Sequence, residues 1–133
     1  MVDDVNSLIW TKLAVNVGIN AIGALCRITN GQTHLVKPAG EIQKLAVEEL
    51  MKVAKLEGIK LDYDHLYQHV TDVAVRTQSN KCSMLQDIEN VNHTEVLAIN
   101  GAIVDRGKKH GIETPVNFVL TRLVKAAELG QLE

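Results

Sequence analysis

Three polar side chains follow one another at four-residue intervals near the start of the chain: Lys12, Asn16 and Asn20. In an α-helix successive residues are 100° apart, so these three side chains fall within an arc of about 80°. A lysine can give a proton to an oxygen that gains negative charge, and an asparagine offers donors and an acceptor to a substrate oxygen. The spacing therefore predicts a proton-donating site that holds a small, oxygen-rich molecule.

The helix that positions these groups is expected to be buried on most of its circumference. Gly23 and Arg27 fall in the same arc, and every other residue of 13–26 is apolar or glycine. An ordinary surface helix has a much wider polar face. Two asparagines in such a helix need partners, because an unpaired buried amide costs about 1–3 kcal/mol. Two interpretations stay open: a substrate stripe facing a cleft or a neighbouring domain, or a thin solvent-facing seam with two structural amides.

Composition limits the classes of function. The 133 residues are 46% hydrophobic and 23% charged, which is typical of one soluble globular domain. With 14 basic and 16 acidic residues, the chain has no basic excess to bind nucleic acid. Its two cysteines, Cys26 and Cys82, lie far apart without CxxC spacing, which favours a reducing compartment. Residues 1–4 lack the basic residues with which a signal peptide starts. The apolar stretch 13–26 is too short and too polar to span a bilayer. We therefore expect a cytoplasmic protein with no membrane contact.

Apolar residues recur at helical spacing along the chain, and strand-like alternation is nearly absent. The sequence predicts an all-α fold, a compact bundle of about six to seven helices. The expected helices run from Asp4 to Ile28, from Pro38 to before Gly58, from Asp62 through Ala74, from Ser83 for a short segment, from Asn92 to Gly111, and from Thr114 to before Gly130. The last helix places Val119, Leu123 and Ala126 on one apolar face, and Cys26 is expected as a small core residue.

Residues 10–21 resemble the first helix of the C-terminal domain of ketopantoate reductases. Other segments match that family in the same order and spacing: 30–31, 80–88, 94–96, 99–104 and 110–117. Several separated motifs in register over nearly the whole chain are much more specific than any one motif. The resemblance implies a helical substrate domain of the 6-phosphogluconate dehydrogenase C-terminal-domain type, with a long buried first helix.

Members of this family reduce 2-dehydropantoate to pantoate with NADPH, in pantothenate biosynthesis. They join an N-terminal nucleotide-binding domain of Rossmann type to a helical substrate domain. This chain has no GxGxxG and no strand–glycine loop–helix unit, so residues 1–133 resemble the second domain alone. We expect NADPH to bind mainly to the missing domain and the isolated chain to be inactive. The implied partners are the nucleotide-binding domain and a 2-oxo acid substrate. A homodimer is also possible, because a chain without its nucleotide-binding domain exposes the surface that this domain would cover.

The resemblance also assigns roles residue by residue. Lys12 matches the catalytic proton donor, and Glu95 matches an acid on the cofactor side. Ser83 matches the residue that holds the substrate carboxylate, with help from the backbone N–H groups of a helix N-terminus. The substrate contacts that the resemblance implies are Asn16, Asn20, Asn30, Asn80, Ser83, Met84, Leu85 and Gln86.

Several of these residues also have purely structural interpretations. Lys12 could be a solvated lysine, Ser83 an N-cap, and Glu95 the partner of Asn92 in a capping box. No metal site is predicted, because His65 and the histidine one turn later lack the glutamate of HExxH and a third ligand. Two other functions stay open: a non-catalytic helical module that docks a partner or a second copy, and a related 2-oxo acid reductase with another substrate.

Overall fold

A computed structural model describes residues 2–130 of the chain. Over that range it forms seven α-helices and one 3-10 turn and contains no strand, which confirms the all-α prediction. The helices are α1 (Val2–Cys26), α2 (Asn30–Leu35), α3 (Lys37–Leu56), α4 (Tyr63–Arg76), α5 (Ser83–Glu89), α6 (Asn100–Lys109) and α7 (Pro115–Gly130), with the 3-10 turn at Val96–Ala98.

Helix α1 is the central element, in contact with α2, α3, α4, α5 and α7. From residue 13 to residue 24 only Asn16 is exposed, so the predicted burial of this helix is confirmed. Of the two glycines of α1 that touch other helices, Gly18 allows the closer approach, because a Cβ there would lie 2.8 Å from Val70 Cγ1 of α4 and 3.2 Å from Val47 Cγ2 of α3. Asn16, in the polar arc, is thus the one residue of this stretch that the surrounding helices leave exposed.

The apolar part of α1 is longer than stretch 13–26 suggested. Residues Val5–Cys26 are long and apolar enough to cross a bilayer by length and composition alone. However, 56% of the most apolar window is buried inside the fold, against five other helices. Packing in the protein core therefore accounts for the apolar character of this helix.

A buried chain of polar groups connects four helices. The Glu49 carboxylate of α3 accepts hydrogen bonds from the backbone N–H groups of Val116 and Asn117 at 2.9 Å each, at the start of α7. The Asn117 side-chain amide also donates to Glu49, at 2.9 Å, and accepts from Asn100 of α6, at 2.9 Å. Asn100 in turn lies 3.4 Å from the Val17 carbonyl of α1. These bonds fix how α3, α6 and α7 are placed around α1.

The end of the first helix was predicted wrongly. Helix α1 ends at Cys26 because Arg27 adopts a left-handed backbone (φ 56°), and the Ile28 N–H then donates to the Gly23 carbonyl at 3.2 Å. This closure leaves residues 30–35 free to form α2, a helix that the pattern did not predict. Cys26 is exposed rather than a core residue, because it lies in the last turn, where packing against the other helices ends.

The predicted helix from Asn92 to Gly111 starts too early, although its predicted end is confirmed, because α6 ends at Lys109 and Gly111 follows with φ 71°. It is replaced by the 3-10 turn and α6, which begins only at Asn100. The backbone N–H and hydroxyl of Thr94 donate to the Glu128 carboxylate of α7, so this segment is held by another helix instead of starting one. Val96, Ile99 and Ile103 are nevertheless buried, as the spacing predicted.

The buried side of α7 is partly polar, because three polar residues lie beside the buried Leu120 and Val124. Asn117, Thr121 and Glu128 are buried, whereas Val119 and Leu123 are about half exposed, at 51% and 50%. Asn117 is bonded to Glu49 of α3, Glu128 accepts from Thr94, and the Thr121 hydroxyl donates to the Asn117 carbonyl. Their burial therefore carries no large desolvation penalty. The face formed by Val119, Leu123 and Ala126 is therefore an outer surface of the domain.

We expect Val91→Gly to stabilise the fold. Val91 follows α5 with a left-handed backbone (φ 58°), which is strained for a β-branched residue, and its side chain is 54% exposed. Glycine should raise the free energy of unfolding by about 1 kcal/mol, because relief of strain exceeds its entropy cost. Urea denaturation measures the change. The control Val75→Gly, at an exposed position in α4, should lower stability by a similar amount; a loss at both positions would contradict the account.

The Glu128 carboxylate should make stability depend on acid pH. Burial alone would raise its pKa, but hydrogen bonds from Lys125 and Thr94 outweigh burial and lower the pKa from 4.5 to about 2. The unfolded chain then takes up the proton first as the pH falls, so stability is lost between pH 4.5 and about pH 2. From about pH 6 to pH 3 the loss at this group should be about 2 kcal/mol. Urea denaturation of wild type and Glu128→Gln should show the difference between them shrinking over this range, and parallel curves would contradict the assignment.

Candidate functional site

The predicted polar stripe is present on α1. Lys12 and Asn16 are exposed, and Asn20 is 8% exposed. Each step of four residues rises about 6 Å along a helix, so Lys12 and Asn20 mark the two ends of a strip about 12 Å long. This length suits a small molecule with oxygens at more than one position.

The amides of the stripe have no partner in the described part of the protein. Asn16 and Asn20 make no side-chain hydrogen bond there. Neither side chain has a polar atom that is both fully buried and without a hydrogen-bond partner, so a ligand or water can reach both amides. The buried amides elsewhere differ: Gln43 donates to the Gly18 carbonyl at 3.0 Å and Asn117 to the Ala46 carbonyl at 3.1 Å. Within the described residues, no hydrogen bond gives either asparagine a structural role. Their hydrogen-bonding groups are available to a ligand or to water.

The start of α5 lies beside the Asn20 end of the stripe. The Cys82 thiol approaches the Asn20 carbonyl at 3.4 Å and can donate to it. Gly23 makes this approach possible, because a Cβ there would be only 3.1 Å from Cys82 Sγ. Ser83, the next residue, is exposed. The fold thus brings the serine motif, 60 residues away in sequence, to the lysine–asparagine stripe.

Cys82, not Ser83, is the N-cap of α5. Its sulfur accepts the Leu85 N–H at 3.4 Å, and its carbonyl accepts the Gln86 N–H at 3.1 Å. The capping interpretation of Ser83 is therefore wrong, and its hydroxyl is not used in this turn. Burial raises the pKa of the Cys82 thiol, which suits a structural role. Sequence reasoning missed this role because cysteine is not among the usual capping residues.

Only part of the predicted backbone cradle at 83–86 is available. The side chains of Met84 and Leu85 belong to the core, at 2% and 1% exposure. The N–H groups of Leu85 and Gln86 are already bonded, and the Gln86 amide donates to a preceding carbonyl at 3.0 Å. An anion could therefore meet the Ser83 hydroxyl and the N–H groups of Ser83 and Met84.

Asn30 and Asn80 are brought together through the backbone. The Asn30 N–H donates to the Asn80 carbonyl at 2.9 Å. The Asn30 side-chain nitrogen donates to the Thr77 hydroxyl at 3.0 Å, and its Oδ1 is buried without a partner among the described residues. The side chain of Asn80 is exposed. Asn30 thus fastens the loop that leads to Cys82 and α5, whereas Asn80 presents its amide outward.

The Glu95 carboxylate makes no hydrogen bond or ion pair with the other candidates within the described residues. It is exposed at the start of the 3-10 turn and caps no helix with its side chain. The capping box with Asn92 is therefore wrong. Between residues 5 and 130, no hydrogen bond or ion pair links Glu95 to Lys12, Asn16 or Asn20. Its carboxylate is free to contact a group outside this chain.

The two histidines that the sequence singled out lie on α4. His65 contacts Asp62 through Nδ1 at 3.0 Å, and both side chains are largely exposed. In the described part of the chain, no three histidine, cysteine or acidic side chains are grouped to hold a metal ion. We assign no chemistry to this pair.

Comparison with protein families gives a match to the model described as the C-terminal domain of ketopantoate reductase PanE/ApbA, over residues 4–128. Among curated proteins, the chain is similar to a 2-dehydropantoate 2-reductase from Archaeoglobus fulgidus, with 39% identity over 129 residues. The alignment covers 97% of this chain and 43% of that relative. The chain therefore spans less than half the length of this relative.

Solved structures show the same relationship. A PanE/ApbA family ketopantoate reductase from Ralstonia eutropha JMP134 superposes with a TM-score of 0.89 and 30% identity, over 96% of this chain and 42% of that one. A D-mandelate dehydrogenase solved with NADH and anilino(oxo)acetate superposes with a TM-score of 0.85 and 34% identity, over 92% of this chain and 40% of that one. The family match, the curated relative and the superposed folds agree: this chain belongs to the ketopantoate reductase family, as its C-terminal domain.

Proposed function

We propose that this chain is the substrate-binding, proton-donating half of a cytoplasmic NADPH-dependent reductase that converts 2-dehydropantoate to pantoate. The observation that carries the proposal is the stripe of Lys12, Asn16 and Asn20, whose two amides have no partner in the described part of the protein while other buried amides are bonded. The nearness of Ser83 to the Asn20 end supports it.

Each group has a distinct task in the proposed reaction. The Ser83 hydroxyl and the free N–H groups at the start of α5 bind the substrate carboxylate, since a helix start offers donors to an anion. The amides of Asn16 and Asn20 orient the oxygens of the keto acid. The Lys12 ammonium gives its proton to the keto oxygen as that oxygen gains negative charge. The bound nicotinamide supplies the hydride that the keto carbon receives.

The nucleotide must be held mostly outside this chain. The residues described here contain no strand, so they provide no strand–loop–helix cradle for a pyrophosphate. The exposed carboxylate of Glu95 is the one group that we propose for the cofactor side, because it makes no capping hydrogen bond within the described residues. We propose that a nucleotide-binding domain covers the stripe and excludes water from Lys12.

A domain chimera tests the proposal. The chain would be joined behind the nucleotide-binding part of the Archaeoglobus relative, and NADPH oxidation would be followed with 2-dehydropantoate. Turnover by the chimera, with none from either half, is the expected result. Calorimetry of this chain alone should detect at most weak pantoate binding and no NADPH binding. A folded, inactive chimera together with an inert isolated chain would favour a non-catalytic helical module instead.

A reductase for another 2-oxo acid is the second candidate. The D-mandelate dehydrogenase is as similar in fold and sequence as the named ketopantoate reductases are, so the shared helices alone do not determine the acid. The motifs specify a carboxylate contact and a proton donor, but not the space around the substrate's carbon chain. The same chimera, assayed with 2-dehydropantoate and with benzoylformate, separates the two candidate functions. A higher kcat/KM for 2-dehydropantoate supports the proposed function, and a higher kcat/KM for benzoylformate supports the second candidate.

A further inference from the structure

The side of α1 that carries Lys12 continues toward the N-terminus as an exposed apolar surface. With Lys12 at 0°, the residues Val5, Leu8 and Ile9 lie at about 20°, 320° and 60°, on the side of the polar stripe. Their exposed fractions are 55%, 59% and 55%. Trp10, at about 160°, is buried, so the opposite side of this turn faces the core. We call Val5, Leu8 and Ile9 the apolar triplet.

The apolar triplet is unusual for the exposed side of a helix, which normally carries charged residues. The exposed side of α4 does so, with Asp64, Asp72 and Arg76. In the turns of the triplet, polar groups lie elsewhere: the Thr11 hydroxyl donates to the Ser7 carbonyl at 2.7 Å, at about 260° and 220°. The triplet therefore offers a surface that suits an apolar group next to the proton donor.

The proposed reaction sets the direction of the substrate along α1. The carboxylate binds at Ser83, which lies at the Asn20 end of the stripe, and the keto oxygen meets Lys12. In a 2-oxo acid the carboxylate and the carbon chain leave the keto carbon on opposite sides. With the carboxylate toward Asn20, the carbon chain points from Lys12 toward the preceding turn. This orientation rests on the proposed function.

The preceding turn brings two members of the apolar triplet next to Lys12. Leu8 and Ile9 come four and three residues before the lysine, and side chains at these spacings are neighbours on a helix surface, with Cβ atoms about 5–6 Å apart. Val5 lies one turn further along the same side. A chain that extends from the keto carbon would therefore meet Leu8 and Ile9 first and Val5 last.

We propose that Leu8 and Ile9 form the wall that contacts the carbon chain of the 2-oxo acid and so select the acid. The wall fits a monocarboxylic acid with a branched, mainly apolar chain, such as the dimethyl carbon of 2-dehydropantoate. It disfavours 2-oxo acids with a second carboxylate, because the triplet would desolvate that charge without offering it a partner.

Contact with the nucleotide-binding domain is the other use of an apolar surface beside the stripe. Such a contact would bury the same side chains without touching the carbon chain of the substrate. Its loss would weaken turnover of every 2-oxo acid by the same factor, whereas loss of a specificity wall changes the preference among acids. The two roles are therefore separated by comparing acids within one variant.

Leu8→Ala and Ile9→Ala, each made in the two-domain chimera, test the proposal. Pyruvate and 2-dehydropantoate share the carboxylate and the keto group and differ in the carbon chain. The ratio of their kcat/KM values therefore measures recognition of the chain, and it does not depend on the folded fraction of a preparation. Each substitution should lower the preference for 2-dehydropantoate at least about 10-fold, the usual effect of losing a methylene contact in an apolar pocket.

Two further variants complete the test. Leu56→Ala, at an exposed leucine of α3, is the matched control and should leave the ratio unchanged. Leu8→Arg should raise kcat/KM for 2-oxoglutarate relative to 2-dehydropantoate at least about 10-fold, because a guanidinium can pair with the second carboxylate. An active chimera whose preferences stay the same in all three triplet variants would overturn the wall and leave the proposed function intact. A folded chimera inactive with every 2-oxo acid would overturn both.

Discussion

Replacing Lys12 with alanine in the two-domain chimera should lower kcat by about 10²- to 10⁴-fold, the usual contribution of a positioned proton donor. The KM for the keto acid should change only a few-fold, because the carboxylate and the other oxygens are assigned to Ser83, Asn16 and Asn20. Lys12 is exposed and has no ion pair within the described residues, so the substitution should leave stability nearly unchanged. Steady-state kinetics with saturating NADPH measures both constants.

Two further variants show how the lysine acts. Lys12→Arg keeps the positive charge, but a guanidinium does not release its proton in proteins. If Lys12 is the proton donor, Lys12→Arg should be nearly as slow as Lys12→Ala. A kcat close to wild type in Lys12→Arg would mean that charge alone suffices, and near-normal turnover in Lys12→Ala would refute the role. Lys52→Ala, at an exposed lysine of α3, is the matched control and should retain full activity.

The Asn20 carboxamide contributes through binding rather than proton transfer. Asn20→Ala should raise KM and lower kcat/KM by about 10- to 100-fold, since it removes one or two hydrogen bonds to the substrate. The measurement uses the same chimera. A loss confined to protein stability, with unchanged kinetics per folded molecule, would return Asn20 to the structural interpretation.

The polar stripe could be predicted because it depends only on local geometry. The 100° step of a helix places Lys12, Asn16 and Asn20 on one side whatever the rest of the fold does. The burial of the other residues from 13 to 24 follows from their composition. The separated motifs indicated the family, and the family pattern predicted that Ser83 lies near the stripe. The contacts of Cys82 with Asn20 and Gly23 support this prediction.

The features that could not be predicted depend on partners far away in sequence. The short helix α2 is held by backbone bonds from Asn30 and Gly31 to the loop before α5, almost 50 residues later. The inward side of α7 is set by Glu49, a partner of Asn117 that lies on α3. Hydrophobic periodicity contains no information on such long-range polar bonds, so it gives the presence of α7 but not which side faces the core.

Glu49→Ala should have the largest effect on stability. The carboxylate is 8% exposed and accepts three hydrogen bonds, from the N–H groups of Val116 and Asn117 and from the Asn117 amide. Alanine would leave these buried donors unpaired and remove the group that anchors the start of α7 to α3. We expect the free energy of unfolding to fall by about 3–4 kcal/mol, a large share of the 5–15 kcal/mol typical of a domain. Urea denaturation with helical circular dichroism measures it.

Glu49→Gln separates the loss of hydrogen bonds from the loss of side-chain volume. One oxygen can still accept both bonds from Asn117, but the new NH2 group would face the Val116 N–H, so the loss should be smaller, about 1–3 kcal/mol. The control Glu41→Ala, at an exposed position of the same helix, should stay within about 0.5 kcal/mol of wild type. Because no hydrogen bond joins Glu49 to the stripe in the described part of the chain, kcat per folded molecule should not change in either Glu49 variant. A loss below about 1 kcal/mol in Glu49→Ala would mean that apolar packing, rather than this polar network, decides which side of α7 faces the core.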